Sequence, residues 1–290
     1  MAEKVGVFDR LFISADDSTH YELEFLEGSS LGPQEQFVEA NGLRGSRQHR
    51  AERVRRTQRM VQGRLNFAPN AAELDLLLLW ILGTDKATNT FAVAETVPGR
   101  YLRATRDGST DAYTGVKVNR ATFSCSEGGI LQCSLDVIGV DESSGSSVPT
   151  ATLDNTDAPY VMADCVLSIG GTEYPFRSWQ LTIDNALEVR YNNSPTPTSI
   201  HATDLNVQVQ LQLPLGDAGA AYGTAVSGVA VVATFTQGAK FVRFTASGVS
   251  APKQAKDFGT RQALNFPWVG TARKTGSTSC ISVDNDSTGA

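Results

Sequence analysis

Residues Leu205 to Leu213, LNVQVQLQL, alternate apolar and polar without a break, and Pro214 closes the run. Successive side chains of a strand point to opposite faces, so such a stretch buries its Leu and Val on one side and presents Asn and Gln on the other. Proline then ends the ladder because it has no N–H to donate. The run carries no charge, a composition avoided on open sheet edges because it invites strand addition. This strand is therefore expected either at the centre of its own sheet or with its edge covered by another chain.

Similar signals recur along the 290 residues. Leu131, Cys133, Leu135 and Val137 alternate after a turn at Glu127, Gly128 and Gly129, which reads as a hairpin from about Val116 to Gly139. Leu181, Ile183, Leu187 and Val189 share one parity that Asn185 interrupts, so a bulge or kink is expected near Asp184 and Asn185. Tyr21, Leu23 and Phe25, the Val229 to Phe235 run, FVRFTASGV from Phe241, and Ile281 to Val283 read as further strands. The spacing predicts one principal helix, Ala71 to Leu82, with Pro69 and Asn70 at its start, Glu73 completing a capping box and Gly83 at its stop. Its apolar residues cover most of the circumference, so burial on nearly all sides is expected. The fold class that follows is mainly β, a sandwich or barrel with one helix and long projecting loops.

A single domain is expected, since 41% hydrophobic residues and a net charge of -6 suit a packed globule and exclude a disordered chain. Within it, residues 1–20 read as an N-terminal arm, 43–59 as a basic projecting loop, 141–159 as a polar, proline-punctuated linker between two strand-rich halves, and 284–290 as a tail. No short tandem repeat is evident. Acidic residues interrupt the N-terminal apolar runs, so no signal peptide is read, and the longest apolar block, Leu76 to Leu82, is too short to span a bilayer. Cys125, Cys133, Cys165 and Cys280 form no CxxC pair and read as reduced, buried thiols.

Catalytic chemistry finds little support. His20, His49 and His201 stand far apart with no metal-ligand spacing, and GxGxxG and GxxxxGK[ST] are both missing. Carboxylate pairs such as Asp184 with Glu188 read as solvated strand faces. No catalytic residue, metal or cofactor is expected. One segment is electrostatically unusual: from Leu43 to Arg64 the chain has eight arginines against the single Glu52, a balance of +7, whereas residues 1–42 carry nine acids against two bases, a balance of -7. Arg44, Arg47, Arg50, Arg53, Arg55, Arg56 and Arg59 follow neither helical nor strand periodicity, so they read as an arm that contacts a neighbouring copy. A solvated loop and a nucleic-acid arm are the rival readings, the latter weakened by a pI of 5.2.

Read in order, NGLRGSRQHRAERVRRTQRMVQGRLNFAPNAAELDLLLLWILG, YTGVKVNRATFSCSEGGILQCSLDVIGV and PFRSWQLTIDNALEVRY make the chain similar to the major tail tube proteins of long-tailed bacteriophages and related tail-like particles. The resemblance implies a structural virion protein, assembled in the host cytoplasm, whose homohexameric rings join their sheets into one barrel and stack into a tube. That tube conducts viral DNA during ejection without sequence-specific binding. It also implies tail terminator, tape measure and baseplate proteins as partners, and no membrane. Two other classes stay open on the residues: a β-sandwich receptor-binding or capsid-decorating protein, which predicts exposed aromatics around Trp179 or Trp268, and a carboxylate-pair glycan hydrolase.

Overall fold

A computed structural model of the chain describes residues 9–40, 51–106, 108–151, 157–214, 228–252 and 265–289. The first strand-rich half holds β1 (Arg10–Ser14), β2 (His20–Leu23), β3 (Ser30–Glu39), β4 (Val54–Phe67), α1 (Ala71–Leu82), β5 (Thr90–Ala92), β6 (Arg100–Arg106), β7 (Ser109–Ser126), β8 (Gln132–Gly139) and β9 (Asp141–Ser144). The second holds β10 (Cys165–Ile169), β11 (Thr172–Glu173), β12 (Ser178–Asp184), β13 (Leu187–Arg190), β14 (Ser199–Ala202), β15 (Asn206–Pro214), β16 (Val229–Gln237), β17 (Lys240–Val249), β18 (Asn265–Ala272) and β19 (Ile281–Asp286). The protein is mainly β, as its alternation predicts.

Among the described residues all strand pairings are antiparallel, and their order is set by β7. Its first part, to Val116, pairs with β6 and β9; from Lys117 onward it pairs with β8 and β12. Gly115 lies at the change of sheet with φ 60°, a backbone region that favours glycine. A seven-stranded path follows in the order β3-β4-β8-β7-β12-β15-β18. The LNVQVQLQL strand is therefore central, between β12 and β18, which resolves the two options its composition left. A second sheet, β11-β10-β16-β17-β19-β5, covers the apolar face of the first. Between them Phe123 meets Phe244 at 4.9 Å between ring centroids, and Trp179 meets Phe244 at 5.2 Å and Phe235 at 5.6 Å.

Helix α1 occupies the predicted residues. Asn70 accepts from the Glu73 N–H at 2.8 Å while the Glu73 carboxylate accepts from the Asn70 N–H at 3.1 Å, and Gly83 ends the helix at φ 87°. Leu74, Leu77, Leu78, Trp80 and Ile81 are fully enclosed, and the Trp80 ring N–H donates to the Val116 carbonyl at 2.9 Å. Asparagine amides hold both ends: Asn285 donates to the Ala71 carbonyl at 2.8 Å, and Asn185 to the carbonyls of Ile81 at 3.3 Å and Val118 at 3.0 Å.

Several sequence-based boundaries are corrected. The N-terminal arm of 1–20 is part of the sheet from Arg10 onward, because Leu11 and Ile13 are buried opposite Ala104 and Leu102. The linker of 141–159 begins as β9, paired with β7. The tail of 284–290 begins inside β19, where Asn285 is buried. Residues 43–50 of the basic loop of 43–59 lie outside the described residues, and the rest is a short 3-10 turn at Ala51–Arg53 followed by β4 from Val54. Residues 54–57 are exposed on both faces, and one-sided burial is what writes alternation into a strand, so none appears there. Of the bulge or kink expected near Asp184 and Asn185, the structure has the kink: the ladders of β12 end at Asp184, Ala186 takes φ 43°, and the chain leaves the sheet to form β13–β14, a separate two-stranded hairpin.

Candidate functional surfaces

The seven-stranded sheet has faces of opposite chemistry. Leu65, Phe123, Leu135, Leu181 and Val209 point into the core. The alternate positions line a hollow of about 670 Å³: Arg64 and Asn66 on β4, Ser134 and Asp136 on β8, Arg120, Thr122 and Ser124 on β7, Gln180, Thr182 and Asp184 on β12, and Gln208 and Gln210 on β15. Period-two alternation alone builds this division, since each strand buries one parity. Cationic side chains on this face are tied down. The Arg120 guanidinium meets Asp184 at 2.6 Å, a hydrogen bond that raises its already high pKa, and Arg64 lies 3.7 Å from Asp136 and donates to Ser134 at 2.9 Å. Two arginines balance two aspartates, and amides and hydroxyls supply the rest. Such a face holds water but offers a polyanion no unpaired cation to displace its counterions.

The sheet's edges differ from its centre. Among the described residues β3 pairs only with β4, and β18 pairs with β15 along its length and meets the end of β17 at the Ser250–Thr271 bridge. The β3–β4 hairpin carries the basic residues and an apolar patch, with Phe37 57%, Val38 52% and Val54 44% exposed. Of the seven predicted contact arginines, Arg44, Arg47 and Arg50 lie outside the described residues. Arg56 pairs with Glu35 at 2.8 Å, and Arg59 sits among Glu35, Asp141 and Glu142 at 3.4 to 3.7 Å while its backbone N–H donates to Pro195 at 2.7 Å. These two are neutralised within the chain, Glu35 belonging to the acidic segment that precedes them. Arg53 and Arg55 are exposed and make no ion pair with a described residue.

Other candidate sites dissolve into structure. Asp184 and Glu188 each pair with their own arginine, Arg120 and Arg190. Among the described residues no three His, Cys, Asp or Glu groups gather as metal ligands. All four cysteines are free, and burial raises their thiol pKa values, Cys133 and Cys165 most, which opposes thiolate formation. Trp179 and Trp268 are both buried, so the aromatic surface that a receptor-binding reading expects around them is not there. The sequence missed the polar basin as a site because no single motif marks it; its signal is the Gln, Thr and Ser parity shared by five strands.

No protein of curated function matches the chain. A family model described as phage tail tube protein matches residues 6–272.

Proposed function

From the membership of this chain in the phage tail tube family, a structural component of the virion tail, we propose how it performs that role: copies join edge to edge into closed rings, and the rings stack into a conduit for viral DNA. The observation that carries the reading is the sheet with one face packed in the core and the other a concave, wholly polar, charge-balanced surface, flanked among the described residues by edges at β3 and β18. Joined side by side, such sheets close a barrel whose inner wall is the amide and hydroxyl face. DNA slides along this wall because Arg64 and Arg120 are already engaged by Asp136 and Asp184 and release no counterions from phosphate. Arg53 and Arg55, at the far end of the β3–β4 hairpin, reach the next ring, and Phe37, Val38 and Val54 beside them supply apolar contact. The role is non-enzymatic; the tail terminator, tape measure and baseplate proteins meet the ends of the tube, and assembly takes place in the host cytoplasm.

The test replaces Gln208 and Gln210 with lysine. Tubes of this variant retain DNA in a co-sedimentation assay and lose it with added salt, whereas wild-type tubes bind none. DNA held equally by both tubes refutes the placement of this face at the lumen.

A further inference from the structure

The chain contains one structural unit twice, and we infer that its ring is built from three chains, each supplying two of the six units. The stoichiometry rests on the ring reading above; the duplication does not. The pairings of residues 10–144 recur in residues 165–286 in the same sequence order. In the first half β1 pairs with β2 and β6, β6 with β7, β7 with β9, β3 with β4, and β4 with β8. In the second β10 pairs with β11 and β16, β16 with β17, β17 with β19, β12 with β15, and β15 with β18.

Register repeats as well as order. Leu11 and Ile13 stand opposite Ala104 and Leu102, as Leu167 and Ile169 stand opposite Ala233 and Val231. An irregularity separates Arg100 from Leu102, and its counterpart separates Val229 from Val231. Arg100 faces Val116, and Val229 faces Val249; Lys117 faces Ile138, and Ser250 faces Thr271. Val61 faces Gly139 as Val207 faces Ala272. This correspondence sets Val61-Gln62 and Leu65 against Val207-Gln208 and Leu211. It also sets Gly115 against Gly248, with φ 60° and 58°, each just before a buried valine. Packing convergence explains a shared architecture, but a shared register, bulge and left-handed glycine point to duplication of one unit.

The two units meet where β7 pairs with β12, Leu181 opposite Phe123. In the correspondence β12 is β3, so β3 presents the same edge on the first unit, and it has no strand there among the described residues. A head-to-tail contact that joins unit one to unit two leaves one matching half at β3 and the other beyond the end of β17, where the residues that match 120–126 lie outside the described ones. Repeated between chains, the contact generates a ring. Size favours three chains. The seven sheet strands described in each chain make about 21 in three chains, and at a strand spacing of about 4.8 Å and a tilt of about 40° these close a backbone circle at least roughly 42 Å across, which side chains narrow to about 30 Å. That bore suits one DNA duplex, and six chains would double the circle.

Native mass spectrometry of rings released from tubes of the full chain, with end-on averages of the same tubes, tests this. The expected ring has three times the 31.0 kDa chain mass, and its six lobes alternate because, among the described residues, only the second unit bears the β13–β14 hairpin. Rings of six times the chain mass overturn the inference while leaving the ring reading intact. A protein that forms no ring or tube under any condition overturns both.

Discussion

Asn185 offers a quantitative test of how the helix is locked to the sheet. Its side-chain amide donates to the Ile81 carbonyl at 3.3 Å and the Val118 carbonyl at 3.0 Å, and the residue is 5% exposed. Ile81 is in the last turn of α1, where carbonyls have no partner inside the helix. Asn185→Ala leaves both acceptors without this donor in a place that water reaches poorly. Each orphaned acceptor costs about 1–3 kcal/mol, and partial water entry brings the total to about 2–4 kcal/mol. For a chain of this size that corresponds to a fall in melting temperature of about 4–12 °C. The assay is thermal denaturation of unassembled subunits at one fixed concentration, since assembly would add its own stabilisation. Asn206→Ala, on the exposed end of β15, serves as the control with little change. A melting temperature for Asn185→Ala within about 1 °C of the wild type refutes the reasoning.

Two further outcomes follow from the ion pairs. Replacing Arg53 and Arg55 with glutamate leaves the subunit's melting temperature unchanged but shortens or abolishes tubes, whereas the same change at Arg56 and Arg59, which meet Glu35, Asp141 and Glu142, lowers the melting temperature of the free subunit; the reverse pattern, read by calorimetry and electron microscopy, rejects the assignment. Hydrogen bonds from Arg103 at 2.9 and 3.1 Å hold the Asp17 carboxyl below its usual range, with His20 adding to the effect. A depressed folded-state pKa stabilises the protein above the unfolded value of about 4 and ceases to do so as pH falls through the folded value. The melting difference between wild type and Asp17→Asn is therefore present at pH 7 and narrows in acid, and a gap constant across that range contradicts the pairing.

Much of the fold was legible where one physical signal dominated. The limits of α1 followed from Asn70, Glu73 and Gly83, because capping chemistry is local. The β7–β8 hairpin and the centre of β15 followed from one-sided burial. Val54 to Thr57 escaped because both faces of that hairpin end are wet, and β12 was read through into β13 because parity continues past Asn185 although the chain leaves the sheet. The polar basin was present in the sequence only as the unburied parity of separate strands, whose shared face depends on topology. The duplication left still less trace: Val61-Gln62 and Val207-Gln208 match, but most equivalent positions preserve only burial, which many residues satisfy.

The two junctions of the proposed ring are not equally strong, and the difference lies in two adjacent residues. Within the chain, the Asn185 N–H donates to the Asn119 carbonyl, so residues of that parity on β12, Ile183 among them, direct their backbone groups toward β7. Asp184 beside it grips Arg120 across the same junction at 2.6 Å. On β3, the register places Pro33 at Ile183 and Gln34 at Asp184, since Pro33 faces Val61 as Ile183 faces Val207. The junction between chains therefore loses one backbone donor, worth about 1 kcal/mol, and an exposed charge pair, worth about 0–1 kcal/mol. Proline at an edge is also a known guard against unscheduled strand addition. The contact inside each chain forms once, during folding, and gains by being strong. Contact between chains has to wait for an assembling tail, and a weaker edge keeps free subunits apart until stacking against a ring already in place supplies the remaining free energy.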